Sequence, residues 1–134
     1  MWILMSDLLE IMDTETEKLK IKWIEYIQEG TNVRPLAPVT IMSKVAKGSS
    51  YPDTPLIDTG EMISSIGSES IMLDERTVQG SIFATDPKFE WHEYGLGVPE
   101  RPTLRPVFDT HSDAAVLRIF DSYFEIVKDR FIRG

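Results

Sequence analysis

Trp91-His92-Glu93-Tyr94-Gly95-Leu96-Gly97-Val98-Pro99-Glu100-Arg101-Pro102-Thr103-Leu104-Arg105-Pro106 holds three of the chain's eight prolines and two of its eight glycines. Two Arg-Pro pairs, Arg101-Pro102 and Arg105-Pro106, lie four residues apart within it. The residue before a proline is pushed out of the helical region, so both arginines are expected on extended backbone. Gly95 and Gly97 permit a sharp reversal just ahead of them. The stretch therefore reads as a short aromatic turn, a bend and a stiff arm carrying two fixed cations. Residues 98–104 are expected to pair as an edge strand, where proline is tolerated. A stiffened segment loses little entropy on contact, which suits docking better than chemistry. His92, Glu93, Tyr94, Arg101, Thr103 and Arg105 are the candidate interface residues.

Upstream of the arm, residues 68–73 and 77–84 read as two strands joined by Asp74-Glu75-Arg76. In the second, Val78, Gly80, Ile82 and Ala84 fall on one face and Thr77, Gln79 and Ser81 on the other. Before them, Asp58-Thr59-Gly60-Glu61-Met62 starts a short helix over 59–66, with Asp58 or Thr59 as its cap and Gly67 as its stop. Residues 31–58 read as irregular, punctuated by Pro35, Pro38, Pro52 and Pro55, with a short helix at 39–45 and a loop at 44–56. Residues 6–29 form a long helix opened by Ser6 and Asp7. Leu8, Met12, Leu19, Trp23 and Ile27 stand at helical spacing, Thr16 fills the gap, and Gly30 ends it. The Glu and Lys residues between them are read as a solvated face. After the arm, a helix over 112–131 places Val116, Ile119, Phe120, Tyr123, Val127 and Phe131 on one face. Asp113 at its start and Lys128, Arg130 and Arg133 at its end suit the helix dipole. The expected fold is α+β: one domain, residues 1–134, with a small antiparallel sheet packed against long N- and C-terminal helices.

The 134 residues carry 14 basic and 22 acidic side chains, a net charge of −8, which argues against gripping nucleic acid through its phosphates. There is no cysteine, so disulfides, thiolate metal sites and Cys nucleophiles are excluded. Met1-Trp2-Ile3-Leu4-Met5 lacks a basic flank and is followed by Asp7 and Glu10, a poor secretion signal. No run approaches the roughly 18 apolar residues that span a bilayer. The expectation is a soluble, non-secreted chain.

Three constellations invite catalytic readings. Leu56-Ile57-Asp58-Thr59-Gly60 has the form of the loop that pairs two aspartates across a retroviral-type aspartic protease dimer. Glu61 would add charge beside such a pair, Pro55 interrupts the strand expected upstream, and a helical pattern follows, so a helix cap is the reading preferred for Asp58. His92-Glu93 would need a second histidine at position 96 to form the zinc helix motif. That residue is Leu96, and Gly95 would break the helix. Gly95-Leu96-Gly97 lacks the third glycine and the preceding strand of a phosphate loop. Arg101 and Arg105 read as ion-paired within the fold or across an interface, and Trp23, Phe89 and Trp91 as core. No catalytic, metal-binding or cofactor-binding residue is nominated.

The order of these pieces is more telling than any one of them. Trp23 lies on a long helix, then come Pro35-Leu36-Ala37-Pro38-Val39-Thr40 with Lys44, and Leu56-Ile57-Asp58-Thr59-Gly60-Glu61-Met62 with Ser65-Ile66. A hairpin, His92-Glu93-Tyr94-Gly95, the arm from Val98 to Pro106 and a C-terminal helix complete the series. Over roughly residues 20–110 this resembles the bacteriophage tail-completion, or neck, proteins of the tail-component and virion-morphogenesis type. One departure is Thr103, where that family usually shows an aromatic. The resemblance implies a small α+β virion protein without catalytic residues, assembled in the host bacterial cytoplasm. It would form a homo-oligomeric ring at the head–tail junction, between the head connector and the tail tube or its terminator, with DNA passing through unread. An acidic lumen would repel phosphates and let the genome slide. The alternatives are the aspartic protease dimer built on Asp58, and a small protein-binding module, such as a toxin–antitoxin partner or regulator, that uses the same amphipathic helices.

Overall fold

The structure, a computed structural model, describes residues 2–29, 42 and 61–133. Its elements are α1 (Trp2–Glu29), α2 (Glu61–Ser64), β1 (Ile66–Asp74), β2 (Thr77–Ala84), α3 (Lys88–Tyr94) and α4 (Leu104–Lys128), the last continued by a π-helical turn at Asp129–Arg133. The architecture is α+β, a two-stranded antiparallel sheet packed against two long helices. Contacts between Trp23 and Thr103, Glu15 and Arg118, and Asp7 and Arg130 show that α1 and α4 run antiparallel. The expected cap at Asp58, the helix stop at Gly30 and the 44–56 loop lie outside the described residues. Of the short helix at 39–45 only Met42 is described, helical and exposed.

The apolar stripe on α1 is where the spacing puts it, with Thr16, Trp23 and Ile27 buried. The helix begins earlier than Ser6, because Leu4 and Met5 are themselves buried and hold its first turns. Glu15, expected on the wet face, is also buried. It is neutralised by Arg118 across the helix pair, at 2.9 Å, and by Lys18 at 3.2 Å.

The hairpin turns over two residues, Glu75 and Arg76, closed by the Arg76 N–H donating to Asp74 Oδ1 at 2.7 Å. Its register pairs Ser68 with Ile82, Ser70 with Gly80 and Met72 with Val78, and slips at a bulge between Met72 and Asp74. Gly80 lies directly under α1, where a Cβ would meet the Thr16 hydroxyl and stand 2.9 Å from Met12 Cγ. Only a glycine lets helix and strand approach this closely. Gly67 does not stop a helix. It pairs with Phe83 inside β1, and Phe83's ring covers it, 2.8 Å from where a Cβ would be. The short helix accordingly ends at Ser64, and β1 starts at Ile66, two residues before the expected strand.

Trp23, Ile27, Met62, Ile66, Phe89 and Val107 form the main core at the C-terminal end of α1. The Trp23 and Phe89 rings meet at 5.3 Å, tilted by 59°. Trp91, expected in the core, is 43% exposed.

Two expectations about the arm fail. Residues 98–104 form no third strand, because α3 takes their donors: the Arg101 N–H goes to the His92 carbonyl at 2.7 Å, and the Thr103 N–H to the Glu93 carboxylate. The C-terminal helix begins at Leu104, not 112, so Arg105 is helical and Pro106 sits in the first turn. A proline there costs no hydrogen bond, since the first-turn N–H groups of a helix have no partner within it. Asp113 is therefore mid-helix. The expected apolar face also divides. Ile119, Tyr123 and Val127 are half-buried, whereas Val116, Phe120 and Phe131 are exposed and the buried line runs through Val107 and Ala115.

Candidate functional site

The six residues singled out in sequence come together around one carboxylate. Helix α3 carries Glu93, which is 7% exposed, and α3 ends at Gly95 in the left-handed conformation (φ 68°), with the Leu96 N–H bonded to the Trp91 carbonyl at 2.8 Å. The reversal brings the arm back across α3. Glu93 Oε1 then accepts the N–H groups of Thr103 (2.8 Å) and Leu104 (3.0 Å), and Oε2 accepts that of Arg105 (3.1 Å). Pro106 has no N–H, and the Val107 N–H reaches the Thr103 carbonyl at 3.3 Å. Every donor at the start of α4 is thus satisfied, by a carboxylate ten residues back in the chain. The negative charge also faces the positive end of the α4 dipole.

Thr103 occupies the usual capping position, yet its hydroxyl does not cap. It accepts the Trp23 indole N–H at 2.8 Å, joining the arm to α1, and is 1% exposed. Arg105 lies across the outside. Its Nε donates to Glu93 Oε2 (3.2 Å), its terminal nitrogen to the Glu93 carbonyl (2.9 Å) and to Glu100 (2.8 Å), and its guanidinium stands 5.7 Å from the centre of the Tyr94 ring. Arg101 is buried. His92 is half-buried with Nδ1 unpaired. Burial, then the nearby Arg101 charge, push the imidazole below its ordinary pKa, and a hydrogen bond with the Pro99 backbone opposes them.

As a docking surface the cluster is therefore mostly turned inward. Of the six, Tyr94 and Arg105 are exposed, and Glu93, Arg101 and Thr103 are buried. The chemistry available at Glu93 is that of a hydrogen-bond acceptor fully engaged by the backbone. Among the described residues no group of three or more His, Asp or Glu is placed to hold a metal ion. No helix among them is long and apolar enough to cross a membrane. Asp58 lies outside the described residues.

Surface that sequence reasoning missed lies elsewhere. An apolar groove of about 420 Å³ runs over α1 between the hairpin and α4, lined by Met12, Leu19, Val78, Ile82, Phe108 and Val116 among others. The outer face of α4 shows Leu117 (65% exposed), Phe120 (67%) and Phe124 (59%). A third apolar patch, Trp91, Tyr94 and Leu96, surrounds the end of α3. A signal was present, because α4 carries more large apolar residues than one buried stripe can use. Comparison with known proteins returns no matching family model, no matching curated protein and no matching solved structure.

Proposed function

We propose that this chain is a structural component of the head–tail junction of a tailed phage or prophage, a copy in a homo-oligomeric ring between head connector and tail. The observation that carries the reading is the amount of apolar surface exposed among the described residues, in three separate places: the groove beside α4, the outer face of α4 and the end of α3. A closed ring of identical copies needs two different surfaces on each copy, and joining two further assemblies needs more. Monomeric proteins rarely leave contiguous apolar patches beyond a few hundred Å². The inward Glu93 lock supports the same reading, since it fixes how α3 and the arm sit on α4 and presents Tyr94 and Arg105 in set positions. The ordered sequence pieces, from Trp23 to Pro106, point to the neck family, and the net charge of −8 suits a lumen through which DNA slides.

Deletion of the gene from the phage or prophage that encodes it tests the proposal. DNA-filled heads and separate, unjoined tails are expected, with infectivity restored by the gene in trans. Joined, infectious particles at normal titre would overturn it, as would tight duplex-DNA binding by the purified protein that weakens steeply with salt.

A further inference from the structure

We infer that the outer face of α4 is a self-complementary seam on which two copies of this chain pair antiparallel about a two-fold axis at Phe124. On α4 Leu117, Phe120, Phe124 and the half-buried Val127 follow one another by three, four and three residues, and Phe131 comes one turn later, in the π-helical turn. That is the alternation of a two-helix seam, not of a helix lying on a sheet. Leu117, Phe120, Phe124 and Phe131 are 59–67% exposed. The buried line of the same helix, through Val107 and Ala115, already packs against α1, so the seam is a second apolar face.

Area and charge indicate the occupant. Taking about 200 Å² for a phenylalanine, Phe120, Phe124 and Phe131 leave roughly 400 Å² of apolar surface in water. Leu117 brings one copy's exposed apolar share to roughly 500 Å², so two copies together cover about 1,000 Å², the size that a specific interface must clear. The seam is flanked by Asp121 toward its start and by Lys128 toward its end, where Lys128 also meets Glu125 at 3.1 Å and stands 5.7 Å from the centre of the Phe124 ring. An antiparallel partner centred on Phe124 sets Asp121 against the other copy's Lys128, once on each side of the axis. A parallel partner would instead set Asp121 against the other copy's Val116 and Lys128 against its Tyr123, leaving both charges unmatched. The pairing also opposes the two helix dipoles. Pairing like with like differs from a ring contact, which joins unlike surfaces, so the inference stands apart from the junction reading.

The chain has no cysteine, so single cysteines report the geometry directly. Phe124→Cys should form a covalent dimer on mild oxidation, as cysteines on a two-fold axis come within disulfide range. Leu117→Cys should not link to itself, but should link to Phe131→Cys when the two proteins are mixed. Sedimentation of the unmodified chain should show twice the monomer mass, and Phe120→Glu should weaken association roughly thirtyfold while circular dichroism keeps its helix content. A monomer at every concentration overturns the inference. So do self-linking by Leu117→Cys, which marks a parallel pair, and Phe124→Cys that links no faster than a cysteine at exposed Lys22.

Discussion

Replacing Glu93 by glutamine keeps the side chain's shape and removes its charge. The carboxylate accepts three backbone N–H groups at 2.8, 3.0 and 3.1 Å and is 7% exposed, so no water replaces a lost bond easily. The amide oxygen can still serve Thr103 and Leu104, but its NH₂ then faces the Arg105 N–H, donor against donor. Hydrogen bonds to a charged acceptor contribute about 1.5–3 kcal/mol, and an orphaned buried donor costs about 1–3 kcal/mol. The Arg105 side chain is 52% exposed, so its ion pair adds no more than about 1 kcal/mol. Together with the lost interaction at the α4 N-terminus, Glu93→Gln should destabilise by about 2–3 kcal/mol, and Glu93→Ala, which orphans all three donors, by about 3–5 kcal/mol. Urea unfolding followed by tryptophan fluorescence, with Trp23 the buried reporter, measures this. With a slope of about 1–3 kcal/mol per molar, the midpoint should fall by at least about 1 M for the alanine variant. Glu90→Gln, exposed on the same helix, is the control and should stay within about 0.5 kcal/mol of the parent. If Glu93→Gln also stays within that margin, the capping argument is wrong.

Thr103→Val should cost about 1–3 kcal/mol by leaving the buried Trp23 indole N–H unpaired, while Thr103→Ser should recover most of it in the same unfolding assay. Gly80→Ala should destabilise by about 1–3 kcal/mol through crowding against Met12 and Thr16. Thr16→Ala in that background should relieve part of the loss, and simple additivity in the double-mutant cycle would contradict the contact. His92 has a lowered pKa in the fold, from burial first and Arg101 second, so the unfolded chain takes up a proton more readily than the folded one. Its contribution is fully present above its unfolded pKa of about 6.5 and is lost as pH falls through the lower folded value. Unfolding midpoints between about pH 5 and 8 should decline toward acid, and more steeply in the parent than in His92→Gln; parallel profiles would remove the claim.

Elements that announce themselves through local pattern were legible in the sequence. The α1 stripe through Trp23 and Ile27 follows from periodicity, and β2 occupies the residues its alternation marks. What escaped depends on contacts between distant positions. Prolines at 102 and 106 argue for extended chain, and nothing near Leu104 reveals that a carboxylate on another helix will take the donors of its first turn. The same transfer of hydrogen bonds to α3 removed the edge strand. Gly67 looked like a helix stop because its role, lying beneath the Phe83 ring, needs the partner strand to be seen. The candidate interface residues gather around Glu93, and their largely inward orientation follows from Gly95, whose left-handed backbone folds the arm over Glu93. On α4 hydrophobicity alone does not distinguish the stripe that meets α1 from the stripe that stays exposed, so in sequence the two read as one face.

The Glu93 cap also separates two scales of loop closure. It closes a loop of ten residues, whereas the bond from Trp23 to Thr103 closes one of eighty. An eightfold difference in length separates their closure entropies by about 2 kcal/mol. Short closures of this size occur within about 10–100 ns. The α3–arm–α4 corner therefore closes at a lower entropic cost than the docking of the Trp23 indole onto it.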